Sequence, residues 1–581
     1  MATYEAPVAA LRHALTTAGD LPGLATLPGY ESATPDLVDP ILTEAGKLAA
    51  NVVAPLNQPG DQVGARLEEG AVRLPDGFDA AYRQYVEAGW HALPFDPAHG
   101  GQGLPWTLAL ALTEMWNSAN MAWALCPLLS VSAVELLQAH GTEWQKATFL
   151  PQLTSGEWTG TMNLTEPQAG TDVGALTTRA VPAGDHYRIT GQKIYITHGE
   201  HGMSENIVHM VLARTPNAPA GTKGVSLFLV PKYLPDAAGA PGVRNDLRCV
   251  SLETKMGLHA SPTCTMAFGD AGGAVGYRIG AENGGMAAMF TMMNNARLNI
   301  GVQGLGLAER AYQAARAHAF ARVQSRAIDS RDPASVPIVR HPDVRRMLLA
   351  MKAEIAATRA LALHAGNALD RAKRHPDAEA RTAAQARVDL LTPVVKARGS
   401  DLGVRASSTA VQILGGMGYT EDMGVAQYYR DARIAPIYEG TNGVQALDLV
   451  ARKVLRDDGA AARALIAELE TLAETLAEAP WPHAGTLHRA YRTGIETLAT
   501  ATRTLLDRGQ ADIAGAAAVA TAYLDLLGIV AGGVFLAHGA GAAQAHLARF
   551  YATHILPQAE ALAAQIRNGA DPVTEVPLND L

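Results

Sequence analysis

The sequence predicts an α+β protein in which a central block of strands lies between two helical blocks and is followed by a further helical segment. Apolar residues recur at helical spacing from about residue 36 to 158, as at Leu108, Leu112 and Met115 and again at Val131, Val134 and Leu137. Between about 159 and 285 the pattern becomes short apolar or alternating runs at 187–189, 193–197, 207–213 and 225–230, punctuated by Gly, Pro, Asn and Asp, which reads as strands. From Gly285 to about Leu455 the helical period returns, with Leu447, Val450 and Val454 as one example of its spacing.

These changes divide the chain into an N-terminal α-helical domain (1–158), a central β domain (159–285), a second helical bundle (286–457) and an additional C-terminal helical domain (458–581). The last carries Ala/Leu-rich segments near 459–479, 485–507, 511–537 and 543–567, with breaks at Pro480 and Pro482, at Gly509, and at Gly539 and Gly541. The most apolar stretch, 513–537, is interrupted by Asp525 and studded with Gly and Ala. It reads as a packed helix, so no membrane span is expected.

With 581 residues, 48% of them hydrophobic and 18% charged, the chain has material for several cores. A formal net charge of −9 and a pI near 6.1 give no electrostatic footprint for nucleic acid or for an anionic membrane surface. Three scattered cysteines, Cys126, Cys249 and Cys264, suggest neither a disulfide framework nor a zinc site, as in a reducing cytosol. The opening residues lack the basic and apolar regions of a secretory leader, and a cytoplasmic protein is expected.

The stretch Met162-Asn-Leu-Thr-Glu-Pro-Gln-Ala-Gly-Thr-Asp-Val173, followed by Gly191-Gln-Lys-Ile-Tyr-Ile-Thr197, is the most distinctive in the chain. Taken separately, Thr165-Glu-Pro167 and Ala169-Gly-Thr171 are ordinary turns between strands. Four blocks follow in order: Lys255-Met-Gly257, Arg322-Val-Gln-Ser325, Gln412-Ile-Leu-Gly-Gly416 and Tyr438-Glu-Gly-Thr441. Together they resemble the acyl-CoA dehydrogenases over roughly residues 36 to 455, the first pair being similar to that family's flavin-binding signature. Tyr4-Glu-Ala-Pro7, Pro28-Gly-Tyr-Glu-Ser-Ala-Thr-Pro35 and the helical tail resemble the large subfamily that includes 3-methylmercaptopropionyl-CoA dehydrogenases. The resemblance implies an acyl-CoA dehydrogenase-like fold and bound FAD. It also implies α,β-dehydrogenation of a fatty acyl-CoA or 3-methylmercaptopropionyl-CoA to the trans-2-enoyl-CoA, with electrons passed to an electron-transfer flavoprotein.

That reaction needs a base for the α-proton and an acceptor for the β-hydride, which in the family is flavin N5. A carboxylate is a poor base in water, but excluding solvent raises its pKa towards that of the acidified α-carbon. The resemblance assigns this role to Glu439. It lies in a turn-like segment before an apolar-periodic helix, with Thr441 or Asn442 available as the N-cap. Taken alone, a glutamate there is a solvated carboxylate favoured by the helix dipole. Gly440 lets the backbone approach a thioester, and the resemblance implies that the Glu439 N–H and a flavin ribityl hydroxyl polarise its carbonyl.

For the cofactor, the resemblance implies that Met162, Leu164 and Thr165 meet the isoalloxazine edge and that Tyr195, Ile196 and Thr197 lie against its face, with Gly170 and Thr441 among its contacts. Thr171 matches a position that touches cofactor or CoA. Tyr195 stands where most relatives have Trp, and Thr171 where they have Ser, so the flat aromatic surface and the hydroxyl are kept. Arg322 and Gln324 match residues that hold the FAD pyrophosphate from a neighbouring subunit, although Arg322 alone is a solvated helix-end cation. Gln412, Gly415 and Gly416 match a segment along the adenosine half of the partner's FAD, and the glycines equally mark a helix C-terminus. Asn294 and Arg297 match positions that meet CoA, an arginine suiting a phosphorylated ligand. The divided FAD site implies a homo-oligomer, a dimer or a dimer of dimers.

Other signals are read as packing or loops. Gly301-Val-Gln-Gly-Leu-Gly306 lacks the preceding strand and the spaced acid of a dinucleotide loop, and is assigned to close helix packing. His198 and His201 are read as a loop pair, with no metal expected. His341 is read as an exposed loop residue near a family flavin contact, and Met286, Met289, Met292 and Met293 as core. The alternative function is an acyl-CoA oxidase. A DNA-associated flavoprotein of the same fold ranks below it, because the segment beyond Asp458 mixes acidic and basic residues.

Overall fold

A computed structural model describes residues 3–479, 481, 483–541 and 544–580, and its contacts gather into two compact units. One comprises Lys47–Leu104 and Ala119–Ala296, the other Met1–Gly46, Pro105–Ser118 and Arg297–Leu581. Pro480, Pro482 and the first residue of the expected 543–567 segment lie outside the described residues.

The first unit is built on an eight-stranded sheet in the order Leu247–Leu252, Thr263–Phe268, His186–Thr197, Ala274–Ile279, Ser226–Pro231, Asn206–Ala213, Trp158–Asn163, with Arg179–Ala183 paired as a hairpin to the start of His186–Thr197. Trp158–Asn163 runs parallel to Asn206–Ala213, and the other pairs are antiparallel. Asn206–Ala213 and Ser226–Pro231 are buried at every residue, which is why they read as apolar runs without alternation. Phe228, Val230, Val211, Ile189, Ile196, Met266 and Phe268 belong to one core cluster beneath them. Helix Glu143–Ser155 precedes the sheet, opened by a capping box between Thr142 and Gln145.

A small hairpin, Arg66–Glu68 with Ala71–Arg73, stands inside the stretch expected to be helical throughout. Its two turn residues, Glu69 and Gly70, have φ of 51° and 79°, the left-handed pair that a two-residue hairpin requires. Glu is an uncommon first residue for such a turn, so the pattern did not announce it.

The helical unit centres on Pro342–Arg374 and Ala378–Leu414, joined by a short turn in which Asp377 caps the second helix. Helix Gly285–Ala321 enters this unit at Arg297 and packs backbone to backbone on Ala378–Leu414. A Cβ on Gly301 would collide with the Val395 carbonyl, one on Gly304 with that of Gly399, and one on Gly403 would stand 2.9 Å from the Gly304 carbonyl. The Gly301–Gly306 run is therefore a packing motif, as expected. Arg359 is buried between Glu114 and Glu309, with Nη2 contacts of 2.5 and 2.9 Å.

The C-terminal segment is helical, with Ala460–Glu474, Ala484–Ala511, Ile513–Ala518, Ala520–Gly539, Ala545–His554 and Gln558–Asn568 as its main elements. Two expectations change here. Gly509 does not break a helix, since Ala484–Ala511 runs through it; it is small because a side chain there would strike Leu455. The helix predicted from the spacing of Leu447, Val450 and Val454 is present, but it is not a regular α-helix throughout. A π-turn at Leu449–Val454 rotates the helix, burying Leu449, Val450 and Val454 and leaving Leu447 46% exposed. Helices Trp106–His140 and Ala520–Gly539 are long and apolar enough to cross a membrane, and 89% and 83% of their apolar windows are buried in the protein.

Candidate active site

Glu439 lies near the end of the connection from helix Val425–Ala432 to helix Asn442–Asp448, and Thr441 is the N-cap, its hydroxyl accepting the Val444 N–H at 3.2 Å. Glu439 and Gly440 are both left-handed, with φ of 56° and 87°. This is natural for glycine and costs about 1–2 kcal/mol for glutamate. Their carbonyls are held in compensation. The Glu439 carbonyl accepts from Arg297 Nε and from Gln445 Nε2, each at 3.2 Å. The Gly440 carbonyl accepts from Lys396 Nζ at 2.9 Å and from Gln445 Nε2 at 3.3 Å. Beside the turn, the Tyr438 hydroxyl donates to Gln303 Oε1 at 2.5 Å.

The Glu439 side chain is partly buried. Loss of solvent pushes its carboxyl up to about 7, against the opposing pull of the Arg297 and Lys396 charges. Burial likewise brings Lys396 down to about 7, opposed by the Glu439 and Asp401 carboxylates. A carboxyl with that proton affinity takes and releases a proton at neutral pH.

Arg297 was expected at CoA. Its side chain is buried and its Nε donates to the Glu439 carbonyl, which ties Arg297 to the turn. Asn294, partly buried, belongs to the other unit. Sequence reasoning missed Lys396, Gln445 and Asn442 as supports of the turn. Lys396 and Gln445 are ordinary helix residues in the linear pattern and Asn442 a candidate N-cap, and only the close packing of Gly301 and Gly304 on Ala378–Leu414 hints that something there must come near.

In the sheet unit, Glu166 organises the distinctive stretch. Its carboxylate accepts from the N–H and hydroxyl of both Thr177 and Thr178 at 2.6–3.0 Å and from Lys193 Nζ at 2.8 Å. Burial alone would raise its pKa, but the Lys193 charge and these donors outweigh burial and hold it at about 2. Residues 164–171 are thereby fastened to strand His186–Thr197, with Lys193 Nζ also donating to the Leu164 carbonyl.

Pairing of that strand with Thr263–Phe268 matches Cys264 with Ile196 and Met266 with Lys193, so Ile194 and Tyr195 oppose the single residue Thr265. Tyr195 is the left-handed residue of this β-bulge, with φ of 59°, and the residue is 60% exposed. Ile196 turns into the sheet core, which leaves its main chain for the face that Tyr195 and Thr197 present. Met162 is buried, Leu164 and Thr165 are partly exposed, and Gly170 and Thr171 are exposed. An exposed flat ring beside uncovered backbone fits a flavin's isoalloxazine.

In the helical unit Arg322, Gln324 and His341 converge. Arg322 Nη2 donates to Gln324 Oε1 at 3.0 Å and His341 Nε2 to the Gln324 carbonyl at 2.8 Å. Arg322 and Gln324 are exposed, and so are Gln412, Gly415 and Gly416, with open space around both glycines. This donor set and uncovered backbone fit a pyrophosphate and ribose.

Cys126, His198 and His201 place one possible ligand atom each within 4.8 Å of the others, and all three are buried. The two histidines lie in the loop after strand His186–Thr197, as expected, and their side chains are buried. The His201 Nδ1 accepts the Met203 N–H at 3.1 Å, so its proton sits on Nε2, and the His198 Nε2 donates to the Ala122 carbonyl at 3.2 Å.

Family models cover nearly the whole chain. "Acyl-CoA dehydrogenase, N-terminal domain" matches residues 41–157, the middle domain 161–271, the C-terminal domain 283–455, and "Acetyl-CoA dehydrogenase C-terminal like" 463–577. A 3-methylmercaptopropionyl-CoA dehydrogenase of Ruegeria pomeroyi is 50% identical over 462 residues, 79% of this chain and 78% of its own. A broad-specificity linear acyl-CoA dehydrogenase of Mycobacterium tuberculosis is 36% identical over 501 residues, 84% and 79% of the two chains. The fold matches that of an acyl-CoA dehydrogenase of Bacillus anthracis complexed with FAD, at a TM-score of 0.75 and 21% identity over 93% of this chain and 90% of that one.

Proposed function

Because the chain belongs to the acyl-CoA dehydrogenase family, we propose that Glu439 is the base that removes the α-proton of an acyl-CoA thioester on the way to the trans-2-enoyl-CoA. The observation that carries this is the Glu439 turn: a partly buried carboxyl raised to about 7, on a backbone whose two carbonyls are tied by Arg297, Gln445 and Lys396. Relative to an ordinary carboxylate this is a stronger base by roughly 3 kcal/mol of proton affinity. Fixing the turn adds orientation, because the carboxylate meets the α-carbon without first losing backbone freedom. FAD, the family's cofactor, supplies the acceptor for the β-hydride when bound. Tyr195, Thr197, Leu164 and Thr165 would hold its ring, and Arg322, Gln324, Gln412, Gly415 and Gly416 the pyrophosphate and adenosine arm of a neighbouring subunit's FAD.

The substrate proposed is 3-methylmercaptopropionyl-CoA or a fatty acyl-CoA. The Ruegeria pomeroyi relative supports the first and the Mycobacterium tuberculosis relative the second. An electron-transfer flavoprotein as acceptor, a cytoplasmic location and a homo-oligomer complete the reading. Exposure of Arg322, Gln324, Gly415 and Gly416 supports the last, since a cofactor arm bound by these groups can come from a second subunit.

The test is turnover of acyl-CoA esters graded by length, with 3-methylmercaptopropionyl-CoA included, by wild type and Glu439→Gln. Loss of turnover in a variant that keeps its flavin spectrum is expected. Full activity in that variant would remove Glu439 from the chemistry.

A further inference from the structure

Lys396 lies in the middle of helix Ala378–Leu414, its side chain closed off from solvent. A lysine buried so completely needs acceptors, and it has two at 2.9 Å, the Gly440 carbonyl and Asn442 Oδ1. The orientation of Asn442 is fixed independently. Its Nδ2 donates to Asp401 Oδ1 at 2.9 Å and to Ser400 Oγ at 3.1 Å, so its oxygen faces the ammonium. The glycine contacts between helices Gly285–Ala321 and Ala378–Leu414 are what bring this stem under the turn, since residues 395 and 399 flank it.

Lys396 thus grips the turn on both sides of Thr441, at Gly440 and Asn442, one and three residues beyond the candidate base. We propose that Lys396 is a positioning residue for the dehydrogenation: its ammonium locks the left-handed Glu439–Gly440 turn and keeps a positive charge beside the carboxylate that must be ionised to act. The inference rests on Glu439 being the base.

The charges that face this pair are Arg297, Asp401 and Glu439 on Lys396, Arg297 and Lys396 on Glu439, and Asp448 and Arg452 on Arg297. Within this set Lys396 favours ionised Glu439, and Arg297 remains when Lys396 is replaced. A neutral residue at 396 therefore weakens the bias towards carboxylate without abolishing it.

The experiment compares wild type, Lys396→Met, Lys396→Arg and Glu439→Gln as FAD-loaded enzymes, with flavin content matched by absorbance, and records kcat and KM for one acyl-CoA from pH 5.5 to about 9. Lys396→Met should lose about 10- to 100-fold in kcat at pH 7 with little change in KM. Its acidic limb should move up by about one pH unit, and Lys396→Arg should restore the limb. If Lys396→Met does not fold, Lys396→Gln, which keeps a donor but no charge, is read in the same way. A Lys396→Met limb that overlays wild type with kcat within about twofold overturns the proposal while leaving the base assignment intact. An active Glu439→Gln overturns both.

Discussion

The Lys193 ammonium and the Glu166 carboxylate meet at 2.8 Å with both side chains excluded from solvent, 27 residues apart in sequence and at the centre of the stretch that resembles a flavin signature. The pair explains why a loop with two turn-forming triplets is rigid. Glu166→Ala should destabilise the protein by about 3–5 kcal/mol, because an uncompensated lysine is left buried. Thermal unfolding and the fraction of FAD retained on gel filtration should fall together. A variant with wild-type stability and flavin content would deny the loop this fastening.

The same pair gives a pH dependence of stability. Glu166 is held at about 2, below its ordinary value of 4.5. The folded state therefore binds fewer protons than the unfolded chain between those values, and stability falls as pH drops through that window. At or above pH 5 the contribution is complete. Acid titration of unfolding should show the loss below about pH 4.5 in wild type and a smaller loss in Glu166→Gln.

Much of this site was legible in the linear sequence, though not its mechanics. The order of helices, strands and helices followed from periodicity, and Gly301, Gly304 and Gly306 announced close packing because no other residue tolerates a carbonyl at that distance. The bulge at Tyr195 could not be read, since nothing in Lys-Ile-Tyr-Ile-Thr marks one residue as left-handed. The supports of the base were also hidden. Lys396, Gln445 and Asn442 are hydrophilic helix residues whose burial is decided by a partner more than 40 residues away in the case of Lys396 and Gly440. The π-turn at Leu449–Val454 adds a residue to a helix that periodicity treats as regular.

Tyr195 carries an avoidable backbone cost. Replacement by glycine should relieve the left-handed strain and stabilise the flavin-free protein by about 1 kcal/mol, while removing the exposed ring lowers flavin affinity. Urea unfolding of apoprotein and titration of FAD fluorescence would separate the effects. Tyr195→Trp should keep flavin binding with the strain unchanged. If Tyr195→Gly bound FAD as tightly as wild type, the ring would have no part in the site.

The base itself predicts the direction of the activity profile. With Glu439 pushed up to about 7, the competent carboxylate accumulates as pH rises, so turnover should climb through neutrality and fall again where Lys396 loses the charge that locks the turn. Because Lys396 is brought down to about 7 beside it, the limb reports the pair, and its midpoint belongs to neither group alone. A profile flat from pH 5 to 9, with chemistry shown to limit the rate, would contradict a carboxyl raised by burial.

The C-terminal segment reaches the same machinery through Gly528. A Cβ there would stand 2.5 Å from Arg398 Cγ and 3.2 Å from Val394 Cγ1, so helix Ala520–Gly539 lies against Ala378–Leu414 two residues on either side of Lys396. Arg398 is itself buried, with Asp525 Oδ1 at 3.7 Å and Glu354 Oε2 at 3.6 Å, too long for strong pairing. Packing should therefore matter more than charge at this contact. Gly528→Leu should force the helices apart, cost about 1–3 kcal/mol or more, and lower kcat by moving the lysine under the turn. Asp525→Asn should change stability by less than about 1 kcal/mol. Thermal unfolding and turnover of the two variants decide the matter: equal losses would mean that the ion pair, not the close approach of the helices, carries the connection, and a destabilised Gly528→Leu with wild-type kcat would confine the segment to a stabilising role.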